Sequence, residues 1–344
     1  MLTLTVAVPA YCRPKELDEL CESIYSGEVM PDEVLICEDL SPLRNKINEV
    51  ALKWKILFED RFVKFNYVEN KENLGYDKNI RNLLTSAQSD YVLILGDDDM
   101  LTVDCVGTVK SYIEKNPTIP FISRTFTRFD AESKKIINTT WLSTTDCVFR
   151  NSENNASDVM RLCGFVGGII VNRVWANEHS TDKFDGGLYY QFYLACKSYK
   201  ELGIGYISKA IVLGRAGNPP LFGHAISEAS VHVPGSYRPK GRYTMWKSIL
   251  DISKFVYGDG IFLRKMKREL ANRQSFHVFE MMPIQGRYAT LELYSYYRLL
   301  GISFYWLPIF STLVIVLFGK NSSLIFNLIR NCQFYIEKNF KLKL

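Results

Sequence analysis

Apolar and polar positions alternate between two rhythms along the first hundred residues. Short runs that are mostly apolar at 2–10, 33–37 and 91–95, and an alternating run at 63–68, predict strands. Between them apolar residues recur every three or four positions. Leu17, Leu20 and Ile24 mark one helix, and further helices are predicted at about 45–58 and 77–86. Near-continuous apolar strands separated by helices imply an α/β fold, a mostly parallel sheet covered on both faces. Ligands of such sheets bind beyond the carboxyl ends of the strands. Three of the predicted strand ends open into polar loops: residues 9–13, Glu38 with Asp39, and Asp97 with Asp98 and Asp99. The site is expected there.

From 101 to 235 the pattern loosens into mixed strands and loops, with a helix near 188–202. Residues 238–273 carry ten Lys and Arg against three acids and are predicted helical. The stretch 299–319 holds no charged residue, and a basic amphipathic tail follows it. By length that stretch could span a bilayer. Pro308 interrupts it, however, and basic residues flank both ends, so no single-pass orientation is coherent. An interfacial or re-entrant helix pair on an anionic membrane is the favoured reading, with a core helix as the alternative.

Composition narrows the class. In 344 residues, 47% hydrophobic and 23% charged positions exclude disorder and collagen-like repeats. The net charge of +5 does not single out nucleic acid; a phosphate-bearing substrate or an anionic membrane fits equally. Eight scattered cysteines with no CxxC pair read as reduced thiols of a cytosolic protein. The opening MLTLTVAVPAY lacks a basic leader and reads as a first strand, so export is not expected.

Three adjacent aspartates ending an apolar strand are costly unless something neutralises them. Mg²⁺ or Mn²⁺ takes carboxylate oxygens and shares its shell with substrate phosphates. Asp97, Asp98 and Asp99 therefore read as a metal site bridging a diphosphate, against the plainer reading of a solvated acidic turn. Residues 215–224 form a Gly/Pro-rich loop, read as a lid, in which Arg215 could clamp phosphate and His224 could complete the metal shell.

Four segments, VAVPAYCRPKEL, EVLICEDLS, ENLGYDKNI and LILGDDDML, stand in the order and spacing found in family 2 glycosyltransferases of the GT-A fold. The chain resembles that family, and the GDDD wording is closest to bacterial O-antigen and capsule enzymes of the abequosyltransferase type. The resemblance implies that Pro9, Ala10 and Tyr11 line a nucleoside pocket and that Arg13 sits by the base or phosphates. It implies that Asp39 meets the base edge with Glu38 beside it, and that Asn73, Gly75 and Lys78 flank the nucleotide. Gly96 stands where the family's metal motif begins with Asp, so Asp98 and Asp99 become the expected direct ligands, next to a nucleotide-contacting Asp97. Inverting members carry a Glu-Asp pair, one of them the general base, at the head of a helix. Here that helix begins FDGGLYYQFYL, and Tyr190-Gln191 falls where the acids belong. Asp185 is the nearest carboxylate and is expected to act as base in an inverting reaction. A retaining front-face displacement past Gln191, without a protein base, stays open.

The expectation is a metal-dependent glycosyltransferase with three parts: a nucleotide-sugar half at 1–110, an acceptor half at 111–235, and a basic, helical, membrane-associating region at 236–344. It would move a sugar from a nucleotide-diphosphate donor to a hydroxyl of a lipid-linked glycan in surface polysaccharide synthesis, at the cytoplasmic face of the inner membrane, with Mn²⁺ or Mg²⁺. The rivals are a nucleotidyltransferase, which would show a Gly-rich basic loop after the first strand, and a membrane-bound scaffold that lost its base.

Overall fold

A computed structural model describes residues 2–152, 156–326 and 328. The basic tail read at 341–344 lies outside the described residues. The first half alternates as its pattern requires: β1 (Leu4–Ala10), α1 (Pro14–Tyr25), β2 (Glu33–Glu38), α2 (Arg44–Asp60), β3 (Lys64–Glu69), α3 (Tyr76–Ser86) and β4 (Tyr91–Ile94). After it come β5 (Met100–Leu101), α4 (Cys105–Lys115), β6 (Phe121–Asp130), β7 (Ile136–Thr140), β8 (Cys147–Phe149), α5 (Ala156–Cys163), β9 (Ile169–Asn172), α6 (Arg173–Glu178), α7 (Tyr190–Glu201) and β10 (Ile204–Ala216). A short α8 (Ile226–Ala229) precedes five helices: α9 (Pro239–Tyr257), α10 (Ile261–Asn272), α11 (Val278–Gln285), α12 (Arg287–Leu300) and α13 (Trp306–Phe318).

All the named strands join one sheet, in the order β3-β2-β1-β4-β9-β6-β10-β5, with β7 added on β6 and β8 on β10. Strands β1 to β4 pair in parallel, as does β6 with β10, and β9 runs antiparallel between β4 and β6. That antiparallel insertion sits where the apolar rhythm stops being regular. Alternation decides the two faces. Val6 and Val8 of β1 and Val34 and Ile36 of β2 pack on α1, α2 and α4, whereas Ala7, Leu35 and Cys37 face α3 and α7.

The second core is continuous with the C-terminal helices. Trp246, Ile249, Tyr297 and Ile315 belong to the same buried cluster as Ile94 and Phe192. The basic segment breaks at Gly258, which has φ 75°, into α9 and α10. The uncharged stretch 299–319 is not one helix. It is the end of α12, a left-handed turn at Gly301 (φ 69°), and α13, whose last residue precedes a 3-10 turn at Gly319–Asn321.

Candidate active site

The carboxyl ends of β1, β2 and β4 converge on a cavity of about 270 Å³. Its polar wall is built from the four loops that the sequence singled out, and its far wall from the segment after β10. Pro9 and Tyr11 border it, but Ala10 does not; its methyl group packs in the core against α1 and α2 because strand alternation turns it away from Pro9. The turn is tight at Cys12 (φ 59°), whose N–H donates to Ser41 Oγ at 3.1 Å.

Asp39 faces the cavity with both oxygens occupied. Oδ1 accepts from Asn70 Nδ2 and the Leu74 N–H, each at 2.8 Å, and Oδ2 from the Gly75 N–H at 3.0 Å. Burial nonetheless outweighs these donors and raises its pKa. Glu38 is not at the site: it turns under the loop to Arg44 and the Ser41 N–H, because β2 alternation points it away from Asp39. Asn73 Oδ1 accepts the Gly75 N–H at 3.1 Å, which shapes the loop at the head of α3. Gly75 has φ 75°, and a Cβ there would lie 2.5 Å from Glu228 Oε1. Lys78 is not on the cavity wall; the helical turn presents Tyr76 and Asn79 instead.

The three aspartates do different things. Asp97 accepts from the Tyr11 N–H and from Arg13 Nη1, both at 2.9 Å. Burial, with Asp98 alongside, pushes its pKa up to about 6 against the pull of Arg13. Asp98 borders the cavity, 3.1 Å from Arg13 Nη1 and accepting from Asn218 Nδ2 at 2.8 Å. Asp99 also lines the cavity but is only 3% exposed, and it accepts the Arg215 N–H at 3.1 Å. Burial raises it to about 8, with Asp98 adding to the effect. This explains Gly96: a Cβ there would stand 3.0 Å from Asp99 Oδ2, so the carboxylate occupies the space of the missing side chain. For Arg13, burial opposes the charge but Asp97 and Asp98 outweigh it, and its pKa is raised.

Among the described residues no three His, Cys, Asp or Glu side chains converge on one point, so the expected set of Asp97, Asp98, Asp99 and His224 does not form a cage. Mutual repulsion and separate hydrogen-bond partners spread the three acids. His224 does border the cavity, its ring 5.2 Å from that of Tyr11. A Mg²⁺ or Mn²⁺ that keeps waters and takes diphosphate oxygens needs only one or two carboxylates. The cavity-facing Asp98, with Asp97 next to it, fits that mode.

Three further expected residues are placed differently. Arg215 is at the wall, but its guanidinium is spent on Glu19 and on the Asp98 carbonyl (2.8 Å), so it supports the aspartate turn rather than offering a free clamp. Asp185 is absent from the wall; both its oxygens are held by the Arg81 guanidinium. Gln191 is buried beneath Tyr76, whose hydroxyl donates to it at 3.1 Å. The acidic cap that α7 lacks in sequence comes from α3. Asp77 accepts from the Leu188 and Tyr190 N–H groups at 2.9 and 3.0 Å and, being buried, is pushed up to about 7.

Several wall residues carried no readable signal. Phe165 and Val166 stand beside Asp99 on a loop whose carbonyls at Phe165 (2.9 Å) and Gly167 bind the buried Arg124. Leu221 and Phe222 come from the loop after β10. Glu228 completes the wall, accepting the Tyr76 N–H at 2.6 Å and the Gly223 N–H at 2.7 Å. With Arg13 Nη2 on the Pro219 carbonyl (2.9 Å), these bonds seat the loop over the cavity.

A parallel-sheet half closed by an antiparallel strand, with its pocket over the ends of β1, β2 and β4, defines a GT-A nucleotide-diphospho-sugar transferase fold. The glycosyl transferase family 2 model matches residues 5–176, and the chain belongs to that family; it is a glycosyltransferase. It is 25% identical over 229 residues to abequosyltransferase RfbV of Salmonella typhimurium, covering 63% of this chain and 68% of that protein. The fold is similar to that of S. aureus TarS residues 1–349 (TM-score 0.58, 14% identity, 92% of this chain and 90% of that one). It is also similar to GalNAc-T7 solved with UDP, GalNAc and Mn²⁺ (TM-score 0.55, 13% identity, 80% and 51%).

Proposed function

We propose that this enzyme transfers a sugar from a nucleotide-diphosphate donor to a hydroxyl of a lipid-linked glycan in bacterial surface polysaccharide synthesis. It works as a peripheral or monotopic protein on the cytoplasmic face of the inner membrane. The observation that carries the reading is one cavity that joins Asp39 and the β1 loop to Arg13 and Asp98, the pairing a nucleoside and its diphosphate require. Of the structures similar to this one, TarS residues 1–349 is solved with UDP-GlcNAc.

Asp39, Asn73 and the Gly75 turn hold the nucleoside, and Arg13, held beside Asp97 and Asp98, sets the positive edge of the phosphate site. Mn²⁺ or Mg²⁺ held at Asp98 would offset the charge that grows on the departing diphosphate. The sugar lies toward Phe165, Val166, Leu221 and Phe222. An apolar wall there suits a sugar that lacks hydroxyls, because each buried hydroxyl without a partner is penalised. A deoxygenated donor, as the likeness to an abequosyltransferase suggests, fits it.

With Asp185 locked by Arg81 and Gln191 unable to take a proton, the geometry favours a retaining front-face reaction. The acceptor hydroxyl attacks the anomeric carbon on the face the diphosphate leaves, the anomeric C–O bond to phosphate breaks, and the acceptor proton passes to the departing phosphate oxygen. The test is NMR of the product: the donor's anomeric configuration should persist, and inversion would restore the search for a protein base.

A further inference from the structure

The C-terminal helices present a face that the transferase chemistry does not use. Along α13, Trp306, Ile309, Leu313 and Leu317 recur at helical spacing and are 63, 38, 55 and 67% exposed; Leu299 and Phe304, each 70% exposed, lead into it. The opposite side of the same helix, Leu307, Pro308, Ser311, Thr312, Val314 and Ile315, is buried against the rest of the helical region. Within residues 306–326 the best 18-residue window has a mean hydropathy of 1.7, and only 33% of it is buried. Among the described residues, this helix thus has a protein side and an unpartnered apolar side.

We infer that this face docks the enzyme on an anionic lipid surface with α13 lying in the membrane plane rather than crossing it. This deepens the membrane-side reading above and rests on it only for its purpose. Three observations carry it. First, residues 306–326 are together long and apolar enough to cross a membrane by length and composition, but Gly319 (φ 56°) and the 3-10 turn interrupt them after the 13 residues of α13. At 1.5 Å per residue α13 reaches about 20 Å, short of the roughly 30 Å hydrocarbon core. Second, spanning would pull the Tyr297, Leu300, Leu307 and Ile315 cluster out of the protein core, whereas lying flat leaves it intact. Arg287 Nη2, donating to the Leu317 carbonyl at 3.3 Å, ties the head of α12 to the tail of α13 in that flat arrangement. Third, charge chooses the occupant. Residues 238–344 carry 17 Lys and Arg against six acids, while residues 1–237 carry 25 against 31. On and beside α12 and α13, Arg287, Arg298 and Lys320 are exposed against one exposed acid, Glu292. A second copy brought face to face would set like charge against like, but anionic headgroups complement it. The side chains would sit at the headgroup boundary, with Trp306 at the level where indoles prefer to lie.

The test uses the full chain and vesicles of phosphatidylcholine with or without phosphatidylglycerol. Wild type should co-sediment with the anionic vesicles and bind neutral ones far more weakly. Leu313→Asp with Leu317→Asp, both exposed, should lower partitioning by about a hundred-fold while thermal melting and nucleoside diphosphate binding stay unchanged. Fluorophores placed at Phe304→Cys or at Leu317→Cys should be quenched alike by an outside reagent. Protection of one end only would mean a crossing helix and would overturn the in-plane arrangement. Equal vesicle binding by the double variant would overturn the docking face. So would a wild-type dimer that the double variant dissolves without any vesicle binding, since a second copy would then own the surface. Vesicle binding needs no donor or acceptor. Loss of docking with intact nucleotide binding therefore leaves the transferase reading standing, and the converse result removes only that reading.

Discussion

Arg13 is the sharpest place to perturb the site, because one guanidinium holds three parts of it. Its Nη1 lies 2.9 Å from Asp97 and 3.1 Å from Asp98, and its Nη2 donates to the Pro219 carbonyl at 2.9 Å. Arg13→Met keeps the aliphatic stem and removes the charge. Breaking a buried pair typically costs about 3–5 kcal/mol, and the 17% exposure of this side chain places the loss near about 3 kcal/mol where both acids are ionised. Protonation offers relief. Asp97 already sits near 6, above its ordinary value, and losing the cation raises it further. A carboxyl whose folded-state pKa is raised stabilises below its unfolded value and loses that stability as pH climbs through the folded one. At about pH 8 the variant should therefore lose about 3 kcal/mol, whereas at about pH 5 only the lost hydrogen bonds remain, about 1 kcal/mol. With about 2.1 cal/mol/K per residue of unfolding entropy, 344 residues convert these to about 4 °C and about 1–2 °C in melting temperature. Scanning calorimetry of wild type and variant at both pH values checks this. An equal drop at both would refute the claim that Arg13 serves mainly as counterion to the aspartates.

The same logic gives the wild type a pH slope: Asp97, Asp77 and Asp99, raised to about 6, 7 and 8, should make the metal-free protein less stable as pH rises from about 5 to 8.5, and added Mn²⁺ should flatten the trend in melts. Asp185→Asn should lower stability by about 1–3 kcal/mol through the Arg81 pair yet leave turnover within a few-fold; a loss of a hundred-fold or more in kcat would reinstate it as base. Gly75→Ala should weaken nucleotide binding at least ten-fold in calorimetry, since a Cβ meets Glu228 at 2.5 Å and φ is 75°.

The first half of the fold was legible because most elements there have a single period: β1, β2 and β4 are buried on both faces, β3 is half-buried, and the helices carry one apolar stripe. The loops at Tyr11, Asp39, Asn73 and Asp97–Asp99 follow from that register, so their convergence was legible too. The residues that lie off the cavity wall share a cause. Ala10, Glu38 and Lys78 lie next in sequence to residues that do border the cavity, and alternation or helical rotation turns neighbours to opposite sides. Asp185 looked available only because its partner, Arg81, is distant in sequence. Glu228 and Phe165 had no local signature; the loop after β10 and the Arg124 contacts bring them in. At the C-terminus, the uncharged stretch reads as an interfacial or re-entrant helix pair, with a core helix as the alternative. The buried side of α13 depends on contacts with other helices that no window along the chain reveals.

The central claim is that the cavity binds a nucleoside diphosphate through a divalent ion held at Asp98. Isothermal titration of a panel of nucleoside diphosphates into wild type and Asp98→Ala, with Mn²⁺ or with chelator, tests it directly. Wild type should bind with Mn²⁺, and affinity should fall at least ten-fold on chelation and in Asp98→Ala, with the fold intact by melting. Equal affinity in all four conditions, or no nucleotide bound in any, would contradict it.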